Sequence, residues 1–179
     1  MMWMKSVFCS ALMAALALTA TGTAVASPHE HGVARLDVAV DATRVSIELH
    51  TPLHNLLGFE RAPRSPAEQE QVQAVLTRLR AADQLFRIDS AAGCTLARVD
   101  LKSAVLQLGQ GGPVAKGEHA GLEGLFEFSC RAGARAGFIE VGLFEGFPAL
   151  KRIDMQLSTP RGQIQARLNR PSSRVRLAR

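Results

Sequence analysis

The sequence predicts an α+β fold: a mostly antiparallel sheet or pair of sheets, of seven to nine short strands, with one main amphipathic helix across a face. Three observations carry that expectation. Apolar and polar residues alternate over most of the chain, the period-2 pattern of half-buried strands. A single stretch instead places its apolar residues at helical spacing, behind a complete helix-start signal. Once an N-terminal leader is set aside, two cysteines remain, Cys94 and Cys130, which suits one bridge.

The leader comes first. MMWMK carries the one early charge, Lys5, and SVFCSALMAALALTATGT continues without another. Ala24 and Ala26 occupy the small-residue positions that a signal peptidase reads, which completes the three-part pattern of a secretory signal over residues 1–26. Thr19, Thr21, Gly22 and Thr23 weaken the second half, whereas a spanning helix needs about 20 firmly apolar residues. Cys9 follows Phe8 rather than a small residue, which argues against a lipoprotein. The expected mature chain is therefore a single exported domain, residues 27–179, with no stable membrane span.

GVARLDVAV alternates, with Ala34, Leu36, Val38 and Val40 on one side; Asp41-Ala42-Thr43 is turn chemistry. VSIELH alternates again, with Val45, Ile47 and Leu49 inward, so the two runs form a β-hairpin. PLHNLLGFERAPRSP is proline-bounded and mixed, which reads as a loop or irregular segment. Ser65, Pro66 and Glu68 then supply an N-cap hydroxyl, a proline at the first helical position and an acid closing a capping box. Val72, Val75, Leu76, Leu79 and Phe86 recur at helical spacing, predicting a helix over about 66–84 with Glu70, Arg78 and Arg80 on its wet side.

Strand patterns resume after it. CTLARVDLKSAVLQL reads as one long or two short extended segments, and GQGGPVAKGEH as a glycine-rich loop. LEGLFEFSC alternates, with Leu122, Gly124, Phe126, Phe128 and Cys130 on one side. GFIEVGLF is expected to be extended and GFP to break it. LKRIDMQLS alternates with Ile153, Met155 and Leu157 inward, TPRG is a turn, and QIQARL and SRVRLA close the chain as strands. In an oxidising compartment Cys94 and Cys130 are expected to pair, closing a 36-residue loop worth on the order of 3–4 kcal/mol.

Composition and motifs exclude several function classes. The formal net charge is +5, with Arg167, Arg170, Arg174, Arg176 and Arg179 near the C-terminus. The last of these alternate with Val175 and Leu177 as on an edge strand, and export argues against nucleic acid. No G-x-S-x-G occurs, the cysteines are expected to be bridged, and nothing marks Glu60, Glu140 or Glu145 above a solvated surface acid. GQGGPVAKG lacks the spacing and hydroxyl of a phosphate-binding loop. The expectation is a protein that is not an enzyme.

The histidines offer chemistry of a different kind. They are His29, His31, His50, His54 and His119, with Glu30, Glu48, Glu60 and Glu118 as possible oxygen donors, a set that suits zinc. Pairing Leu36 with Leu49 matches the apolar faces of the hairpin, sets Arg35 beside His50 and, if continued, brings His31 near His54; the next in-phase register, two residues away, also keeps His29, His31, His50 and His54 at the open end. Pro52 interrupts that ladder, so the second pair is approximate. Each histidine has a plain alternative as a solvated surface residue. Ser27-Pro28-His29 has histidine third, yet a copper clamp there is excluded because Pro28 has no N–H to deprotonate.

The motifs, taken together, resemble the ZrgA-like family of zinc-regulated periplasmic proteins, associated with bacterial zinc uptake. They are HEHG at the expected mature start, Pro52, Asn55, GFE at Gly58–Glu60, Pro63, AAGC ending at Cys94, His119, FEFSC ending at Cys130, LFEGFP at Leu143–Pro148, and Gln163. The resemblance implies a periplasmic zinc-binding accessory of a high-affinity zinc importer, with a component of that importer as partner. It points to His29, His31 and His119 as metal ligands, with His54, His50 or a glutamate completing the set. Many relatives carry a histidine- and aspartate-rich tract before the position of His119; here GQGGPVAKGE replaces it, which implies few ions. The competing reading is a metal-free envelope interaction module that docks a partner through Asn55, Phe59 and Glu60.

Overall fold

The computed structural model describes residues 30–109 and 120–177. The expected signal peptide, His29 and His119 lie outside the described residues. The described chain is α+β, with nine strands in two sheets.

Strands β1 (Val33–Val40) and β2 (Arg44–Pro52) form the expected hairpin, in the register that sets Leu36 opposite Leu49 and Arg35 opposite His50. Ala34, Leu36, Val38, Val40, Val45, Ile47 and Leu49 are buried, each at most 4% exposed, and their neighbours face outward. Period-2 burial rules out a one-residue slip, which would put every apolar side chain in water, and the structure takes the in-phase register that pairs Leu36 with Leu49.

PLHNLLGFERAPRSP is less irregular than its composition implies. It holds a single helical turn, α1 (His54–Leu57), closed by Gly58 in the left-handed region at φ 80°. The main helix α2 (Pro66–Arg80) starts as expected: the Ser65 side chain accepts from Glu68 N–H. The capping box is displaced by one residue, because the Glu68 carboxylate reaches back to Arg64 N–H at 2.6 Å and also takes a two-pronged pair from Arg61.

That helix is shorter than expected. Ala81 leaves helical geometry at φ −83°, ψ 51°, and a second short turn, α3 (Ala82–Leu85), leads into strand β3 (Phe86–Ile88). Phe86 therefore belongs to a strand, not to the helix stripe. The break lets Ala82, Leu85 and Phe86 all enter the core, where the Phe86 ring lies 5.0 Å from that of Phe126. Burial of three apolar side chains outweighs continuation of one helix.

β4 (Cys94–Lys102) pairs with β5 (Gly121–Cys130), and β5 pairs with β2. AVLQL, expected as strand, is a turn closed by a Ser103–Leu108 bridge. Cys94 and Cys130 face each other across β4 and β5 and are disulfide-bonded. β6 (Phe138–Val141) is shorter than GFIEVGLF suggested, because LFEG forms the turn α4 (Leu143–Gly146). Leu143 and Phe144 are both buried there, and helical geometry lets these consecutive apolar residues reach the core together. β7 (Arg152–Thr159), β8 (Gly162–Asn169) and β9 (Arg174–Arg176) complete the chain, with Ile153, Met155 and Leu157 inward as read.

The larger sheet runs β4-β5-β2-β1-β7-β8, antiparallel except for the parallel β1–β7 pair; the smaller runs β3-β6-β9. One apolar core joins the inner sheet faces to α2, which contributes Val72, Val75, Leu76 and Leu79. Arg174 and Arg176 lie exposed on the edge strand β9 around buried Val175.

Candidate metal centre

β1 and β2 have two unlike ends. At the turn end the chain reverses through Asp41–Thr43. At the open end the segment before β1 meets the segment after β2, and three of the residues singled out from sequence meet here: His31, His54 and Glu60.

His31 stands two residues before β1, on Glu30 and Gly32. The Glu30 carbonyl accepts from Val33 N–H, and its carboxylate accepts from Arg152 at 2.8 Å. Gly32 adopts φ +84°, which lets the chain turn into β1. Its carbonyl accepts from both Lys151 N–H (2.7 Å) and Arg152 N–H (3.0 Å). His54 opens α1, and its carbonyl accepts from Gly58 N–H, so the turn that carries it is closed by the glycine of GFE.

The His31 and His54 rings stack, with centroids 4.4 Å apart and planes 16° from parallel. His31 Nε2 lies 3.1 Å from Glu60 Oε1. Two imidazoles and a carboxylate form a donor set that zinc accepts. The stacking is a different matter. An imidazole ligates along a lone pair in its own plane, and two nearly parallel planes held this far apart do not meet at a shared ion. One ring has to turn about its side-chain torsions before both can ligate. Consistent with this, no group of three or more His, Cys, Asp or Glu side chains among the described residues stands ready to hold a metal.

His50 does not join them. It points from β2 to the outer sheet face, with Nε2 3.8 Å from Asp37 and 4.0 Å from Glu48, beyond hydrogen-bond range. Asp37 is held instead by Arg35 Nε at 3.1 Å.

Charge around the open end is organised by arginine. Arg152 bridges Glu30 and Asp154, and Arg167 donates to the other oxygen of Asp154. Burial alone would raise the Asp154 carboxyl, but the Arg167 hydrogen bond and the charges of Arg152 and Arg167 outweigh it and hold it below the usual carboxylate range. Arg61 and Arg64 do the same to Glu68, which is held down to about 2, chiefly by the Arg61 side-chain bond.

The three residues considered for docking separate sharply. Asn55 is 1% exposed, and its carboxamide is spent inside the fold. Oδ1 accepts from Gly32 N–H (2.6 Å), while Nδ2 donates to the Val33 carbonyl (2.8 Å) and to Thr51 Oγ1 (3.0 Å). Phe59 is half-buried against the core, with the Arg61 guanidinium 4.9 Å above its ring. Glu60 faces His31. Sequence reasoning missed Gly32 and Thr51. The available signal was the glycine directly ahead of a strand pattern, where a turn needs positive φ.

A comparison with curated proteins gave no match. The family model described as ZrgA family zinc uptake protein matches residues 28–177, which takes in the hairpin, the histidine-bearing open end and the disulfide. The chain belongs to the ZrgA family of zinc uptake proteins.

Proposed function

We propose that this protein is a non-catalytic periplasmic zinc-binding accessory of zinc uptake, and that zinc is its cargo, taken at the open end of the first hairpin. The observation that carries the reading is the convergence of His31, His54 and Glu60 from two segments more than 20 residues apart, with Glu60 3.1 Å from His31. His29 precedes His31 by two residues. Ala120, joined to His119 by one peptide bond, accepts a hydrogen bond from Leu53 N–H at 2.9 Å, directly before His54. This supports His29, His31 and His119 as imidazole ligands with His54 or Glu60 completing a tetrahedron. The polar face bearing His50 is not used. The glycine loop in place of a histidine-rich tract favours a single ion. Export through a cleaved signal over residues 1–26 is part of the same reading, as is a periplasmic importer component as recipient.

Calorimetric titration with zinc chloride tests it. The expected outcome is one site at micromolar zinc or tighter, lost when His29, His31 and His119 are replaced by alanine. Unchanged affinity in that triple variant would refute the ligand assignment. Absence of any zinc binding by the wild-type protein would instead favour the metal-free docking module, to which half-exposed Phe59 under Arg61 is the one contributing observation.

A further inference from the structure

The buried amide at Asn55 has a role in the candidate site that its burial conceals. We infer that Asn55 is a positioning residue, which sets His31 and His54 side by side by gripping the peptide that follows one and carrying the other on the preceding residue. This inference rests on the function proposed above and extends it to a residue that touches no ion.

The geometry is specific. Gly32 N–H, the bond donor to Asn55 Oδ1 at 2.6 Å, belongs to the peptide unit that begins at the His31 carbonyl. Asn55 is the next residue after His54 and the second of a four-residue helical turn. A turn that short has no stability of its own and takes its place from what it bonds. Asn55 Nδ2 supplies two more ties, to the Val33 carbonyl and to Thr51 Oγ1, so one carboxamide joins the entry of β1, the end of β2 and the turn bearing His54. On its other side Gly32 is fixed through its carbonyl by Lys151 and Arg152 N–H groups. The backbone on either side of the histidine pair is thereby held by contacts that do not involve the rings. No buried side-chain nitrogen or oxygen among the described residues is left without a partner, so the network has no slack to absorb loss of this amide.

A ligand pair so arranged depends on its support much as metal ligands depend on the groups that orient them, where loss of one such group weakens binding by about tenfold or more. The test uses the full chain expressed with its disulfide formed, zinc chloride as probe, and three variants: Asn55→Ala, Asn55→Asp and, as a matched control far from the site, Leu157→Ala. Asn55→Ala is expected to weaken zinc binding by about tenfold or more, while Leu157→Ala, with a comparable or larger drop in melting temperature, keeps wild-type affinity. Asn55→Asp keeps an acceptor for Gly32 N–H and is expected to recover part of the loss. A second readout is independent of zinc: the nuclear Overhauser contact between the His31 and His54 rings, present in the metal-free wild type, is expected to vanish in Asn55→Ala. Folded Asn55→Ala with wild-type affinity and an intact ring contact would overturn the inference, as would equal zinc loss in Leu157→Ala. If the wild type takes up no zinc, the proposed function fails, and the ring contact alone still decides whether Asn55 positions the pair.

Discussion

The two ends of the β1–β2 hairpin share backbone hydrogen bonds but differ in what is added to them. At the turn end, Cys130 N–H donates to the Thr43 carbonyl, Gly133 N–H donates to the Ala42 carbonyl, and the Cys94–Cys130 disulfide lies one strand away. Backbone bonds and a covalent link fix that end, and Gly133 packs so tightly that a Cβ there would run into the Asp41 carbonyl. At the open end, backbone bonds from Lys151 and Arg152 to the Gly32 carbonyl are joined by side-chain ties: the Asn55 amide, the Arg152 bridge to Glu30, and the His31–Glu60 contact. The contrast separates stability from adjustability. On the proposed function, the first end supplies a locked frame and the second the side chains that would turn to ligate.

Substitutions at each end can break or sharpen this contrast. The largest effect is expected at the disulfide. Removing both cysteines, Cys94→Ser with Cys130→Ser, opens a 36-residue loop and should cost about 3–4 kcal/mol in denaturant unfolding. Zinc affinity of the still-folded fraction should change less than about threefold, since no His31-end contact is touched. If affinity collapses with the bridge, the two ends are one cooperative unit and the contrast fails.

Gly133→Ala should cost about 3 kcal/mol, because the methyl group meets backbone rather than a flexible side chain. Gly32→Ala, at the open end, meets the flexible Lys151 side chain at 3.2 Å and the Ala149 carbonyl at an ordinary 3.5 Å, so its cost is chiefly that of a left-handed alanine, about 1–2 kcal/mol. Paired unfolding curves decide this. A larger loss at Gly32 than at Gly133 would reverse the ranking of the two ends.

The smallest effect is in pH dependence, at the start of α2. Glu68 is held down to about 2 from an ordinary 4.5, chiefly by the Arg61 hydrogen bond. A folded-state value below the unfolded one adds stability that is fully present above about 4.5 and is lost as pH falls toward 2. Glu68→Gln should therefore flatten the acid side of the stability profile and leave its neutral side only slightly lower, because the pair is still partly open to solvent. An unchanged acid limb in urea melts between pH 5 and pH 2 would show that Arg61 and Glu68 do not pair in solution.

How much of this was legible can be judged element by element. The inward face of the hairpin was, because period-2 alternation leaves no second choice of side, while the structure decided between in-phase registers by pairing Leu36 with Leu49. The helix start was also legible in Ser65-Pro66-Ala67-Glu68, a local signal needing no partner. Its end was not: nothing in ADQLF marks Ala81 as a break, which follows from the place waiting for Phe86 against Phe126. LFEG in α4 was misread for the same reason, as a short apolar run whose geometry is decided by what it packs against. At the site, the meeting of His31 with His54 followed from the register, while the separation of His50 from them depended on which sheet face was wet.

The sequence by itself determined the alternation of inward and outward residues, the pairing of the two cysteines and the family, because these rest on side-chain period, count and motif. Only the tertiary structure decided that Asn55 looks inward, that Gly32 is its partner and that two imidazoles lie stacked beside Glu60. Those contacts join residues more than 20 positions apart, and no local pattern encodes a hydrogen bond whose two ends meet only after β1 and β2 have paired.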